Sequence, residues 1–213
     1  MTTEHTLEIR WFGEGELPSA AGSWMDRLAA SPASTRQDRY LVSGDPAMNL
    51  KIRKDRVEVK RRVGNPLDVD RAHGIGGTIE RWVKWSFPLD ETAPSSITGN
   101  GSDLWVPVTK HRRQVVLRGK RQINLLERVG QEIIEPDPVD VLAECTVVTC
   151  RDTRAWTVNI ESKGNPDGLE STLFQILPGV VDDTLAEQLT CADSFGYAHW
   201  LRETVDSAAA SLS

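Results

Sequence analysis

Asn49–Val63 reads NLKIRKDRVEVKRRV, two short runs in which apolar and charged side chains alternate. In the first, Leu50 and Ile52 fall on one face and Lys51 and Arg53 on the other; in the second, Val57 and Val59 oppose Glu58 and Lys60. Successive side chains leave a strand on opposite faces, so alternation with period two marks a half-buried β-strand. Lys54-Asp55-Arg56 lies between the runs as a turn, and the stretch predicts an antiparallel hairpin over Asn49–Lys54 and Arg56–Val63. One face of that hairpin is apolar and the other is charged. The fold must therefore bury one face and give the other a wet surface.

The pattern repeats along the chain. Thr6–Phe12 sets Leu7, Ile9 and Trp11 against Glu8, Arg10 and Phe12, and Asp38–Ser43 is a further strand closed by the turn formers Gly44-Asp45-Pro46. Strands also follow over Thr78–Phe87, Trp105–Leu117, Val141–Arg151 and Ala155–Ser162, which brings the expectation to eight. Helical spacing appears at Ser23–Ala30, Ile123–Gln131, Gly168–Leu177, Thr184–Leu189 and Tyr197–Ala210, the last behind Ser194 as a cap; Pro88–Asp103 is a Pro/Ser/Gly-rich loop. A sandwich would turn the charged faces outward. A wide antiparallel barrel would turn them into a lumen, with the late helices covering its apolar exterior. Alternation alone leaves both arrangements open.

Composition narrows the function. The 213 residues carry 25 Lys+Arg and 31 Asp+Glu, a net charge of −6. A chain of this length buries roughly 70% of its unfolded surface without staples. Lys51–Arg62 has seven bases and two acids, and Lys110–Arg121 has six bases and no acid. Removing that +11 leaves −17 on the remainder. A cationic feature inside an acidic protein calls for an anionic partner. A sequence pI near 5.3 disfavours a nucleic-acid backbone and favours a small anion at a focused site. The plain alternative is that Lys and Arg merely guard solvated strands against aggregation. Cys145, Cys150 and Cys191 form neither a disulfide framework nor a zinc pattern, which fits a reducing cytoplasm. No apolar run is long enough to cross a bilayer, and Met1–Thr6 does not open a secretory signal.

Taken in order, these residues resemble the CYTH superfamily, the triphosphate tunnel metalloenzymes. Thr6-x-Glu8-x-Arg10 is similar to that family's opening E-x-E-x-K strand, and Asp38-Arg39-Tyr40-Leu41 to its Tyr-containing strand. Leu50-Lys51-Ile52-Arg53 and Val57-Glu58-Val59-Lys60 resemble the L-R-I-R strand and its Lys-ended partner. Lys110-His111-Arg112, Val158-Asn159-Ile160-Glu161 and Asp193–Leu201 resemble the later K-x-R strand, E-I-E strand and serine-tyrosine-leucine helix start. The resemblance implies one mainly β (α+β) domain over 1–213, an eight-stranded antiparallel tunnel with helices from 168–213 packed on it. It implies Arg10, Lys51, Arg53, Lys60, Lys110 and Arg112 as phosphate ligands, with Glu8 and Glu161 holding Mg²⁺ or Mn²⁺. Arginine forks and lysine point charges suit phosphate oxygens, and hard divalent ions take carboxylate oxygen. The implied function is binding of a tri- or polyphosphate and its metal-dependent hydrolysis.

The sequence also departs from that pattern. Thr6 replaces the first glutamate, Arg10 replaces a lysine, and Arg81-Trp82-Val83-Lys84-Trp85 lacks the carboxylates of the family's R-x-E-x-E strand. These losses point to the alternative of a non-catalytic, degenerate tunnel that binds a phosphate ligand or serves as an interaction protein. Glu8 and Glu161 also have an ordinary reading as ion pairs with Arg10 and a nearby lysine. His111 lacks a nucleophile and base beside it, Trp82 and Trp85 fall on opposite faces of one strand, and Gly74–Gly77 is a turn rather than a phosphate loop.

Overall fold

The computed structural model describes residues 1–69, 75–89, 105–117, 139–189 and 194–210, with side chains in the last segment to Asp206. The helix expected over Ile123–Gln131 and most of the Pro88–Asp103 loop lie outside the described residues. Among the described residues, strands run over β1 (Thr2–Glu14), β2 (Ser34–Leu41), β3 (Met48–Arg53), β4 (Arg56–Arg62), β5 (Leu67–Val69), β6 (Gly77–Pro88), β7 (Trp105–Leu117), β8 (Asp140–Cys150) and β9 (Thr153–Lys163). The helices are α1 (Ser19–Arg27), α2 (Leu169–Val180), α3 (Asp183–Ala186) and α4 (Tyr197–Ala210).

All the strand pairings are antiparallel, in the order β1-β9-β8-β7-β2-β3-β4-β6, and β1 pairs again with β6 to close the ring. The result is an eight-stranded antiparallel barrel. The short β5 extends the β4 side of β6, pairing Leu67 with Ile79. It was not expected, because three residues are too few to show alternation.

The principal hydrocarbon core lies outside this barrel. Leu7, Ile9 and Trp11 from β1, Ala143 and Cys145 from β8, and Val158 and Ile160 from β9 pack with Trp24 and Met25 of α1 and Leu169, Leu173, Ile176 and Leu177 of α2. Two buried indoles fix the layers: Trp11 Nε1 donates to the Gly76 carbonyl at 2.9 Å, and Trp24 Nε1 to the Val180 carbonyl at 2.7 Å. Cys145 belongs to this core, and burial pushes its thiol up to about 12. At Gly77 an added Cβ would sit 2.8 Å from Ile9 and 2.9 Å from the Trp11 indole, so the start of β6 needs glycine for close approach.

Helix α4 does something the sequence did not announce. A second apolar cluster joins Phe12, Tyr40, Val106, Val108, Val148, Cys150 and Ala155, all on the inward faces of their strands, to Trp200 and Leu201 of α4. Phe12 stacks on Phe195 and Trp200 with centroids at 5.3 and 5.4 Å. The last helix therefore seals one end of the barrel instead of covering its outer wall. Ser194 is not the expected cap: its hydroxyl accepts from the Thr78 N–H at 2.7 Å and donates to the Arg10 carbonyl at 3.0 Å, tying the approach to α4 onto β1 and β6. No helix among the described residues is long and apolar enough to cross a membrane.

Candidate functional site: a charged barrel lumen

Period two decides what enters the lumen. On β1 the residues opposite Leu7, Ile9 and Trp11 are Glu4, Thr6, Glu8 and Arg10, and the neighbouring strands contribute in the same phase. They enclose a cavity of about 220 Å³ lined by nine bases and five carboxylates, an excess of four positive charges. Asp38, buried among Arg36, Arg53 and Lys110 in the same inward phase of β2, reduces that excess to three.

Every residue expected from the sequence faces this space: Arg10, Lys51, Arg53, Lys60, Lys110, Arg112, Glu8 and Glu161. Three of the bases, Arg36, Lys84 and Lys163, and three of the acids, Glu4, Glu58 and Glu144, were not anticipated. Glu80 was missed for another reason. It is the inward residue of β6, opposite Glu8 in the β1 register, whereas the motif comparison followed the outward residues Arg81, Val83 and Trp85. Trp82 does face the lumen, as its own phase requires, and Trp85 lies on the other face. His111 points away from the lumen and contacts Thr35 Oγ1 at 2.9 Å.

The charges form a connected net. Lys51 pairs with Glu58 at 2.9 Å, and Arg53 spans Asp38 at 3.2 Å and Glu58 at 3.6 Å. Glu144 is held between Arg10 at 3.6 Å and Arg112 at 3.3 Å. Lys60 Nζ lies 2.8 Å from Glu8 and 3.6 Å from Glu161, while Glu4 pairs with both Lys84 and Lys163. The ion pair expected between Glu8 and Arg10 is thus made by Lys60. Arg10 instead donates to Thr157 Oγ1 at 3.1 Å and lies over the Tyr197 ring at 4.7 Å. The Nε–H groups of Arg10 and Arg112 are buried with no hydrogen-bond partner among the described residues.

Burial and these neighbours set the protonation states. Burial works to raise the Glu8 and Glu144 carboxyls, yet Lys60 and Arg10 pull Glu8 below the ordinary range, and Arg10 and Arg112 do the same to Glu144. Burial and the Glu8 carboxylate hold Glu80 above it, although Arg62 donates to Glu80 at 2.6 Å. Burial and Arg53 lower Lys51 to about 8. Lys110 is pushed well below the usual lysine range by burial and then by Lys51. It donates to the Tyr40 hydroxyl at 2.6 Å and sits 3.7 Å from the Tyr197 ring centroid.

The residues proposed for a divalent metal do not fit one as they stand. Glu8 and Glu161 are directly opposed across β1 and β9, but the Lys60 ammonium occupies the place between their oxygens. Among the described residues there is no group of three or more His, Cys, Asp or Glu side chains disposed to hold a metal ion.

No family model matches the chain, and no curated protein matches it. Among solved structures it is similar to the S. pombe Pct1 RNA triphosphatase, at 12% identity, covering 87% of this chain and 82% of that chain with a TM-score of 0.36.

Proposed function

We propose that the lumen binds a linear tri- or polyphosphate, the ligand class that the motif resemblance to CYTH proteins implies. The observation that carries this reading is the excess of positive charge in a small enclosed volume, where the Arg10 and Arg112 Nε–H donors have no acceptor among the described residues. Buried donors left unpaired are costly, and phosphate oxygens match guanidinium geometry. At about 220 Å³ the cavity is smaller than the ~300 Å³ lower bound of ordinary ligand pockets. A narrow anionic chain fits such a space, and a nucleoside attached to it would remain outside.

Thermal melting and calorimetry with tripolyphosphate, orthophosphate and sulfate test the reading. Tripolyphosphate at about 100 times its Kd is expected to stabilise the protein by ~2.7 kcal/mol. Unchanged melting, or an equal shift in Arg53→Glu, would remove the proposed site. A second reading, hydrolysis of the bound anhydride, is favoured by Lys110. Burial lowers the pKa of this amine at the sealed end of the cavity, and once it has given up its proton it is able to take one from attacking water. Phosphate release from tripolyphosphate, ATP and thiamine triphosphate, with and without Mg²⁺ or Mn²⁺, separates the readings. Release from none of them leaves a binding protein, and release undiminished in Lys110→Met removes that residue from the chemistry.

A further inference from the structure

We infer that Lys60 is the resident cation of the Glu8–Glu161 carboxylate pair, and that the lumen takes its anion without a divalent metal; the second half of this rests on the phosphate reading above. Two carboxylates in register on adjacent strands repel one another unless a cation lies between them. Here that cation belongs to the chain. Lys60 Nζ reaches Glu8 Oε2 at 2.8 Å and Glu161 Oε1 at 3.6 Å, and the Trp82 ring lies beneath it at 5.4 Å from the centroid. Glu8 is almost wholly buried, at 4% exposure. An ammonium in that position is surrounded by its partners and by an aromatic face that favours a cation.

Admitting a metal would mean expelling Lys60, and among the described residues the rest of the lumen offers it no carboxylate that is not already shared. Glu144 is divided between Arg10 and Arg112, Glu58 between Lys51 and Arg53, and Glu4 between Lys84 and Lys163. A displaced ammonium would join a wall that already carries excess positive charge, and the metal would add two more charges. Magnesium also demands near-ideal octahedral oxygen geometry, and a pair closed by an ammonium does not supply it. With Lys60, Arg10 and Arg112 in place, the lumen has the cations a polyphosphate needs.

Two measurements on the full chain after chelator treatment decide the matter. In the first, Mn²⁺ is titrated with no anion present and the free-ion signal is read by electron paramagnetic resonance. The wild type and Lys60→Arg are expected to leave the signal undiminished, while Lys60→Met, which opens the carboxylate pair, binds Mn²⁺ at least about tenfold more tightly than wild type. Retention of Mn²⁺ by the wild type as tight as by Lys60→Met overturns the assignment. If Lys60→Met does not fold, the wild type and Lys60→Arg decide it: Mn²⁺ binding by either is the overturning result. In the second, tripolyphosphate binding is measured by calorimetry in chelator and in Mg²⁺. Equal or tighter binding in chelator is expected, and affinity weakened there by about tenfold or more overturns metal independence. Failure to bind under both conditions defeats the phosphate reading instead, and the Mn²⁺ titration still decides the role of Lys60.

Discussion

The two faces of β1 do opposite work. Leu7, Ile9 and Trp11 look outward into a hydrocarbon layer shared with α1 and α2, while Glu4, Glu8 and Arg10 look inward on a net of ions. In most small domains the inside of the sheet is the core. Here the core is displaced to the gap between wall and helices, and the enclosed space is reserved for charge. Buried ion pairs contribute little net stability, because desolvation offsets their attraction, whereas packed hydrocarbon contributes at about 25 cal/mol per Å². Stability and recognition should therefore separate by the parity of the residue number along one strand.

The strongest way to break that comparison is on the outer face. Trp11→Ala is expected to cost about 3–5 kcal/mol in urea unfolding, by leaving a cavity where a fully buried indole packed. A cost under about 1 kcal/mol would mean that the outer layer is not the core. On the inner face, Arg112→Met should weaken tripolyphosphate by about 10–100-fold, the worth of a charge-assisted hydrogen bond of ~1.5–3 kcal/mol. Urea unfolding of the free variant should shift less than that of Trp11→Ala, since Glu144 keeps Arg10. If binding survives and stability collapses, the division between faces is wrong.

Lys51 sharpens the comparison through pH. Its folded pKa of about 8 lies below the unfolded lysine value of about 10.4, so between those values the unfolded chain holds more protons. Stability of the free protein should rise as pH climbs through that window. A bound polyanion restores the proton, so binding near pH 8 should take up protons and weaken as pH rises further. Calorimetry in buffers of different ionisation heat reads the uptake, and Lys51→Met should abolish it; uptake unchanged in that variant would place the anion elsewhere. The smallest effect is expected at Tyr197, whose hydroxyl is buried with no hydrogen-bond partner. Tyr197→Phe should leave thermal unfolding unchanged or stabilise the free protein by up to about 1 kcal/mol. A clear loss would show that the hydroxyl has a partner in the free protein.

The barrel strands were legible because alternation is a local property, and eight of the lumen side chains were legible because they sit in strands whose alternation is clean. What stayed hidden depended on phase or on strand length. Glu144 lies in a β-branched, apolar run, and nothing local distinguishes an inward glutamate there from a solvated one. Glu80 was lost because both phases of β6 contain charged and aromatic residues, so the register with Glu8 had to come from pairing. Arg36, Glu4 and Lys163 lie where observed strands run beyond the alternating stretch, and hydrogen bonding to neighbours extends them. The place of α4 could not be read at all. A helix with one aromatic face is the same sequence whether it lies along a wall or seals an opening, and the inward apolar residues of several strands, Phe12 and Tyr40 among them, decide it.

Closure of β1 onto β6 has a consequence for how this chain tolerates change. In an open sheet, inserting one residue into an edge strand can be absorbed by sliding that strand past its single neighbour. Each of the eight ring strands here has a neighbour on both sides, so an extra residue in β1 would exchange Ile9 and Trp11 for Glu8 and Arg10 against the helices, with no free margin to take up the slip. A point replacement inside the ring leaves that pairing register unchanged. Its reading frame of two is not negotiable, and length variation in this protein belongs to its connections.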